Sequence, residues 1–192
     1  MAQKGNQTKN KILKAAKQLF MQKGYIAVTM SDLCDASGLS RGGLYRHFSS
    51  TDDVFVALLT SDKSNWEDET KKAVSAGFSA VKMLSYYFEQ VFASISEGEG
   101  RLSLAIYEYG RSGENSNEFL AKRYDDAIDM MEYILQYGQA RGELGGFDTR
   151  TEAVHLVIFI DGIKMASAAI PLSPETVKMQ LDHLLARLER KE

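Results

Sequence analysis

The sequence contains few of the residues that cross-link or interrupt a chain, with one cysteine and two prolines in 192 residues. A single cysteine excludes an intramolecular disulfide and a metal site built from several cysteines, which favours a reducing compartment. Two prolines exclude a proline-rich linker and leave room for long uninterrupted helices. The longest apolar run, residues 153–160, is interrupted by His155 and is too short to cross a bilayer. The sequence also lacks an internal repeat and an alternating strand pattern of useful length.

The amino-terminal residues are rich in lysine, from Lys4 onward, but no apolar stretch follows them, so no secretory signal is predicted. An apolar content of 44% with 26% charged residues is ordinary for a globular protein that has a genuine core. The length suits one medium domain that carries a small appendage. We therefore expect a cytoplasmic protein without a membrane partner.

The charge of the chain is unevenly distributed. Residues 1–50 carry a net charge of +6, and the remaining residues carry −9. A basic end on an acidic body is typical of proteins that bind a polyanion through that end. A lysine-rich helix face that meets only solvent would give the same count, so the local pattern has to decide between the two.

Apolar residues recur at helical spacing along most of the chain, and caps and glycines divide it into about nine helices. The fold class predicted from this pattern is all-α. The predicted segments are 8–23, 29–38, 40–48, a helix that starts at 51, 78–95, 102–109, 118–137, 148–170 and a last helix that begins at Ser173-Pro174-Glu175. The predicted caps of the later helices are Thr51 for the fourth, Asp148 for the segment 148–170 and Ser173 for the last.

The first three predicted helices have the order and spacing of a helix-turn-helix. Thr29 is a credible N-cap for the second helix, with Asp32 three residues later as in a capping box. Gly38 ends that helix, and Ser40 caps the third after a tight turn through Leu39. Three short helices with such a turn between the second and third are typical of DNA-binding heads.

Residues 38–48, Gly-Leu-Ser-Arg-Gly-Gly-Leu-Tyr-Arg-His-Phe, closely resemble the recognition-helix signature of the tetracycline-repressor (TetR) family of bacterial transcriptional regulators. Phe20 and Gly24 resemble the end of the family's first helix, and Asp52 and Val54 the entrance of its fourth. The resemblance implies a DNA-binding domain over residues 1–50 and a helical ligand-binding and dimerisation domain over 51–192. It also implies a homodimer that holds a palindromic double-stranded DNA operator and releases it when a small-molecule effector binds, most often as a repressor.

The resemblance assigns DNA contacts to the residues of this signature and its two flanks. They are Thr29, Ser40, Arg41, Gly42, Gly43, Tyr45, Arg46, His47 and Thr51. Arg41 lies in the first helical turn, where a guanidinium can pair with guanine O6 and N7. Tyr45 resembles a tyrosine that donates to a phosphate. Gly42 matches a family glycine, which suggests close approach of the backbone to DNA.

Two residues depart from the family pattern. Gly43 stands where many relatives carry a side chain that touches a base, which suggests fewer direct contacts and more dependence on Arg41 or on DNA shape. Thr51 stands where the family usually has a lysine, and loss of that phosphate contact is expected to weaken binding and reduce its salt dependence.

Aromatic residues and methionines concentrate between residues 78 and 165, which suggests a cavity for a hydrophobic or cationic small molecule. Candidate ligand contacts are Tyr86, Phe92, Tyr107, Tyr124, Met131, His155 and Phe159. Inward carboxylates among Glu89, Glu108, Asp125, Asp129, Glu132 and Asp161 would favour a cation. The segment 148–170 is apolar nearly all round, so it and the last helix are predicted to form a dimer through Val154, Ile158, Gly162, Met165, Ala169, Leu181 and Leu185.

Two other classes of protein remain open. The departures at Gly43 and Thr51 leave open a helical adaptor whose helix-turn-helix has lost DNA binding. An α-helical enzyme is less favoured, because the sequence has no nucleophile elbow, phosphate loop or paired metal-ligand spacing. We therefore predict neither enzymatic activity nor a cofactor or metal.

Overall fold

The computed structural model describes residues 2–189, with side chains described for residues 5–61 and 66–189; the side chain of Lys4 lies outside that range. This part of the chain forms nine helices and no strand, which confirms the all-α prediction. The helices are α1 Ala2–Lys23, α2 Met30–Ser37, α3 Arg41–Tyr45, α4 Thr51–Ser75, α5 Ala80–Ser96, α6 Gly100–Gly110, α7 Glu114–Ala140, α8 Thr149–Ala169 and α9 Pro174–Leu188.

Side-chain caps fix where most of these helices begin. Thr29 and Asp32 form a complete capping box at α2, because the Thr29 hydroxyl accepts from the Asp32 amide and the Asp32 carboxylate accepts from the Thr29 amide. Asp148 accepts from the Thr151 amide at 2.7 Å and caps α8. Hydroxyls cap α3, α4, α5 and α9 in the same way, at Ser40, Ser50, Ser79 and Ser173.

Two predictions about helix ends are wrong. The helix predicted to run through Phe48 ends at Tyr45, because the chain turns there and carries Phe48 into the core. The hydroxyl that caps α4 belongs to Ser50 instead of Thr51, which is the first residue of the helix. Three consecutive hydroxyl residues, at 49–51, make the cap ambiguous in the sequence.

The buried residues form two hydrophobic cores. The head core joins α1–α3, which we call the head, to the first half of α4 and to α6. Phe20, Leu33 and Leu44 are fully buried in it, as the sequence predicts for the packing of a helix-turn-helix. The body core joins α5, α7, α8 and α9, which we call the body. Because α6 also packs along α8, it connects the head to the body.

Across the described ranges, none of the helices combines the length and the apolar character needed to span a membrane.

Candidate DNA-binding surface and ligand cavity

Helix α3 and the residue that follows it present three polar or cationic side chains on the outside of the head. Leu44 is fully buried and anchors the helix, while Arg41, Tyr45 and Arg46 are exposed. Tyr45 has 53% of its surface in contact with solvent, a large value for an aromatic residue. The alternation of one buried leucine with outward basic and aromatic groups gives a surface that can approach a polyanion.

The turn before α3 is held by hydrogen bonds that fix the orientation of this surface. The Leu39 amide donates to the Cys34 carbonyl at 3.1 Å, and Gly38 adopts a left-handed conformation with φ of +66°. The Ser40 hydroxyl accepts from the Gly43 amide at 3.2 Å. Ser40 is therefore used as a cap, and its exposed hydroxyl also faces solvent.

Thr29 is tied into the capping box of α2, with its hydroxyl donating to Asp32 at 2.7 Å. Lys23 donates to the same carboxylate at 2.6 Å. The hydrogen bonds from Lys23 and then from Thr29 lower the pKa of Asp32 to about 2. Thr29 remains exposed, so the described geometry leaves its other side open to a partner.

The two glycines of α3 differ in their surroundings. A Cβ built on Gly42 would meet nothing within 4 Å, so no contact inside the protein requires glycine there. A Cβ on Gly43 would lie 3.3 Å from the Ser40 hydroxyl oxygen, which is tight but could be relieved by a small shift. No contact among the described residues therefore explains the glycine at position 42.

His47 and Thr51, the last two predicted DNA contacts, are both half-buried. The His47 amide donates to the Leu44 carbonyl at 2.9 Å, within the turn that ends α3. Thr51 begins α4, next to the cap formed by Ser50 and Asp53. Both residues border the exposed face of α3 without belonging to it.

A cavity of about 450 Å³ lies between the head and the body. Residues from α4, α5, α6, α7 and α8 line it, and Lys17 reaches it from α1. Its volume is within the usual range for small-molecule sites. Trp66 and Tyr87 form an aromatic wall with ring centroids 5.2 Å apart.

Three of the seven predicted ligand residues line this cavity: Tyr86, Tyr124 and Met131. The other four lie outside it. Phe92 lines a much smaller pocket between α5 and α9. Tyr107 and His155 are exposed, and Phe159 is half-buried against the body core.

Arg123 and Lys164 of the cavity wall were not predicted from the sequence, whereas Asp161 is among the possible inward carboxylates. A signal for the pair on α8 exists in the sequence. Asp161 and Lys164 interrupt a segment that is otherwise apolar nearly all round, and a buried charge there calls for a partner. Arg123, on the more polar helix α7, has no comparable signal.

Two polar contacts join α6 and its flank to the head. The Glu108 carboxylate accepts from the amides of Tyr25 at 2.7 Å and Ile26 at 3.2 Å. Lys17 forms an ion pair with Glu99 at 2.6 Å, just before α6 begins. Gly24 has φ of +76°, and a Cβ there would lie 2.6 Å from the Glu108 carboxylate. The Glu108 carboxylate can therefore lie this close to the turn only because residue 24 has no side chain.

An aromatic cluster reinforces this connection. The Tyr25 ring lies 4.9 Å from Tyr109 of α6 and 5.1 Å from Phe55 of α4, measured between centroids. The Tyr25 hydroxyl donates to Asp52. Burial raises the pKa of Tyr25, and the hydrogen bond to Asp52 raises it further, so the phenol stays protonated. A shift of α6 along its axis would therefore move the α1–α2 turn.

The predicted dimer residues occupy different environments. Ile158 is 54% exposed, Gly162 and Ala169 are exposed, and a Cβ on Gly162 would meet nothing within 4 Å. Leu181, by contrast, is buried in the body core of its own chain. Val154, Met165 and Leu185 are half-buried.

A three-helix head with an outward basic helix, joined through α6 to a helical body with a cavity, defines the class of helix-turn-helix regulators. The family model described as "Bacterial regulatory proteins, tetR family" matches residues 12–58, and the model "Tetracyclin repressor-like, C-terminal domain" matches residues 83–180. The chain therefore belongs to the TetR family, a family of DNA-binding transcriptional regulators.

Relatives with known names support the same family. The chain is 32% identical over 136 residues to an HTH-type transcriptional regulator, YfiR, of Bacillus subtilis, covering 69% of this chain and 65% of YfiR. It is 30% identical over 139 residues to the HTH-type transcriptional regulator QacR of Staphylococcus aureus, covering 70% of this chain and 72% of QacR. Its fold is also that of a transcriptional regulator from Saccharomonospora viridis solved with choline, with a TM-score of 0.77, 19% identity and coverage of 96% and 100%.

Proposed function

We propose that this protein is an operator-binding transcriptional repressor that acts as a homodimer and responds to a small molecule bound in the cavity between head and body. The observation that carries the proposal is the exposure of Arg41 and Tyr45 on α3 and of Arg46 directly after it, on a helix anchored by the buried Leu44. Since the operator is chromosomal DNA, the protein acts in the cytoplasm, and it needs no enzymatic activity.

The chemistry of the exposed side chains divides the DNA contacts into two kinds. Arg41, in the first turn of α3, is placed to read a guanine through two hydrogen bonds. Tyr45 and Arg46 are placed to bind phosphates, which position the head on the duplex without reading sequence. The open space around Gly42 lets the backbone of α3 come close to the DNA.

The cavity supplies a way to release the operator. Helix α6 contributes to the cavity wall and holds the α1–α2 turn through Glu108. A ligand that displaces α6 would rotate the head and change the separation of the two heads of a dimer. Because the heads must match two half-sites at a fixed spacing, this change weakens operator binding.

The exposed face of α8 supports the dimer. Ile158, Gly162 and Ala169 recur at helical spacing, and together they give an accessible strip where a second helix could approach closely. Leu181 supports the dimer only indirectly, because it packs α9 onto the body of its own chain.

The decisive test is a gel shift with the DNA that flanks the protein's own gene, repeated across salt concentrations. We expect specific binding that Arg41→Ala weakens about 10- to 100-fold, with relaxed discrimination at one base pair. Lys82→Ala, which removes an exposed positive charge from α5, is the matched control and should leave binding unchanged.

The alternative is a helical adaptor whose head no longer binds DNA, and one observation favours it. Positions 42 and 43 offer no side chain to a base, and position 51 offers no cation to a phosphate. Weak binding that is equal for all sequences, and that Arg41→Ala does not change, would support the adaptor and contradict the repressor.

A further inference from the structure

Three charged side chains meet in the cavity without forming ion pairs. Arg123 comes from α7, and Asp161 and Lys164 come from α8. They influence one another electrostatically, yet among the described residues none of them has a salt-bridge or hydrogen-bond partner for its charged group. Together the three groups carry one excess positive charge.

The Arg123 guanidinium contains a buried donor that nothing satisfies. Its Nε atom is the one buried side-chain nitrogen or oxygen that lacks a hydrogen-bond partner in the described part of the chain. A buried donor left without an acceptor destabilises a protein, so native structures rarely keep one without a reason. A bound acceptor would remove this cost.

The environment of Lys164 also favours a bound anion. Burial lowers the pKa of this ammonium, and the negative charge of Asp161 only partly opposes the effect. Burial also raises the pKa of Asp161, against the pull of Lys164 and Arg123. An additional anion next to the two cations would stabilise both in their charged forms.

The rest of the cavity wall indicates the chemistry of the uncharged part of a ligand. Trp66, Tyr87 and Met131 offer apolar and aromatic surface, which suits an unbranched or aromatic hydrocarbon group. Burial raises the pKa of Tyr87 to about 12, so its hydroxyl remains a neutral donor close to Asp161 and Arg123.

Most carboxylates that would favour a cation are engaged or lie elsewhere. Of the six acidic residues considered from the sequence, Asp161 alone lines the cavity. Glu108 holds the α1–α2 turn, and Asp129 and Glu132 pair with Arg150. Within the cavity, Glu99 is already paired with Lys17. Glu67, Glu69 and Asp126 also line the wall, so the preference for an anion is local to Arg123 and Lys164.

We infer that the effector is a small amphipathic monocarboxylate, whose carboxylate binds Arg123 and Lys164 and whose apolar body lies against Trp66 and Tyr87. This inference rests on the proposed function, because it names the chemistry of the molecule that the regulator senses. An anion at this point also lies near Lys17 and draws it away from Glu99, which loosens one of the two polar contacts between the head and α6 with its flank.

Matched probes test the charge preference directly. The first set is octanoate, octanamide and octylamine, and the second is 4-phenylbutyrate with its amide and amine. Trp66 is the single tryptophan of the chain and lines the cavity, so its fluorescence reports binding. We expect the carboxylate of at least one set to bind about tenfold or more tightly than its amide and its amine.

Variants connect this preference to the named residues. Arg123→Met should weaken carboxylate binding about 10- to 100-fold and leave the amide unchanged, because only the charged hydrogen bonds are lost. Lys164→Met gives a second, independent removal of positive charge. Asp161→Asn should strengthen carboxylate binding about threefold or more, a gain that damage to the fold could not produce. Glu118→Gln removes the same charge at an exposed position of α7 outside the cavity, and it is the control that should leave carboxylate binding unchanged.

The inference is overturned if an amine or amide binds as tightly as its carboxylate, or if neither carboxylate binds at millimolar concentration. It is also overturned if Arg123→Met and Lys164→Met both leave carboxylate binding unchanged. The gel shift without any probe reports operator binding separately. Intact operator binding with a preference for amines would reject the monocarboxylate and keep the repressor.

Discussion

At the scale of single residues, Thr51 is the position at which the effect of one side chain on the proposed DNA complex can be tested. It begins α4 at the border of the exposed face of α3, where the TetR resemblance implies a lysine. Because Ser50 supplies the helix cap, α4 does not need the hydroxyl of Thr51 as a cap. A lysine at this position would extend toward the DNA without disturbing the head.

We predict that Thr51→Lys strengthens binding to operator and to unrelated DNA alike. One added phosphate contact should make the slope of log affinity against log salt steeper by about one unit. Titrations of labelled DNA at several salt concentrations measure the slope. Thr60→Lys, which adds the same charge at an exposed position further along α4, should change neither quantity. An equal effect of both variants would show that only net charge matters.

The helix caps illustrate which local signals are decisive. Thr29, Ser40, Asp148 and Ser173 are predicted caps, and all four accept the expected amide. Because a cap depends only on residues within one helical turn, a short stretch of sequence is enough to predict it. The cap of α4 was assigned to the wrong hydroxyl because its two neighbours in the run offer the same chemistry.

At the scale of elements, a loop carboxylate fastens the start of α5. Glu143 accepts from the Ser79 hydroxyl at 2.8 Å and from the Ala80 amide at 2.6 Å, and it pairs with Arg141. Burial raises the pKa of Glu143, but hydrogen bonds from Arg141, Ser79 and the α5 amides outweigh it, so the net pKa is lower than usual. The contact joins the end of α7 to the start of α5.

We predict that Glu143→Gln lowers the free energy of unfolding by about 1 kcal/mol at neutral pH, since α5 loses a charged partner at its amino end. The folded pKa lies below the unfolded one, so this stabilisation is complete above the unfolded pKa and is lost as the pH falls through the folded pKa. Urea unfolding at neutral pH and below about pH 4 measures it.

Glu89→Gln is the control for this experiment, because Glu89 is exposed on the same helix. It should unfold like the unmodified protein at both pH values. A destabilisation by Glu143→Gln that does not decrease with acidification would contradict the electrostatic explanation.

At the scale of the whole molecule, Glu108 connects the ligand cavity to the head. Its two backbone contacts join α6 to the α1–α2 turn across 82 and 83 residues of sequence. We predict that Glu108→Ala increases hydrogen exchange of the Tyr25 and Ile26 amides about tenfold or more and weakens operator binding, because the head is then less firmly oriented.

Exchange measured by NMR at these two amides tests the connection. Glu118→Ala, at an exposed position of α7, should leave both amides protected. Unchanged protection in Glu108→Ala would mean that the aromatic cluster around Tyr25 fixes the turn without the carboxylate.

The proposed dimer leads to a second prediction at this scale. Ile158→Asp places a charge on the exposed strip of α8 and should convert the dimer to monomers, with loss of high-affinity operator binding. Sedimentation velocity gives the oligomeric state. Phe78→Asp, at an apolar residue with 59% exposure outside α8, should stay dimeric. A dimer that survives Ile158→Asp would place the interface elsewhere.

The order of the helices, the turn before α3 and the caps of α2, α3, α8 and α9 follow from the sequence alone, because periodicity and capping act between residues close in the chain. The boundary between domains at residues 50 and 51 stays a prediction. The meeting of Arg123 with Lys164, and of Glu108 with the turn at Tyr25, was decided only by the tertiary structure. Each of these pairs joins helices distant in sequence, and the way helices pack depends on the summed burial of many side chains rather than on any local pattern.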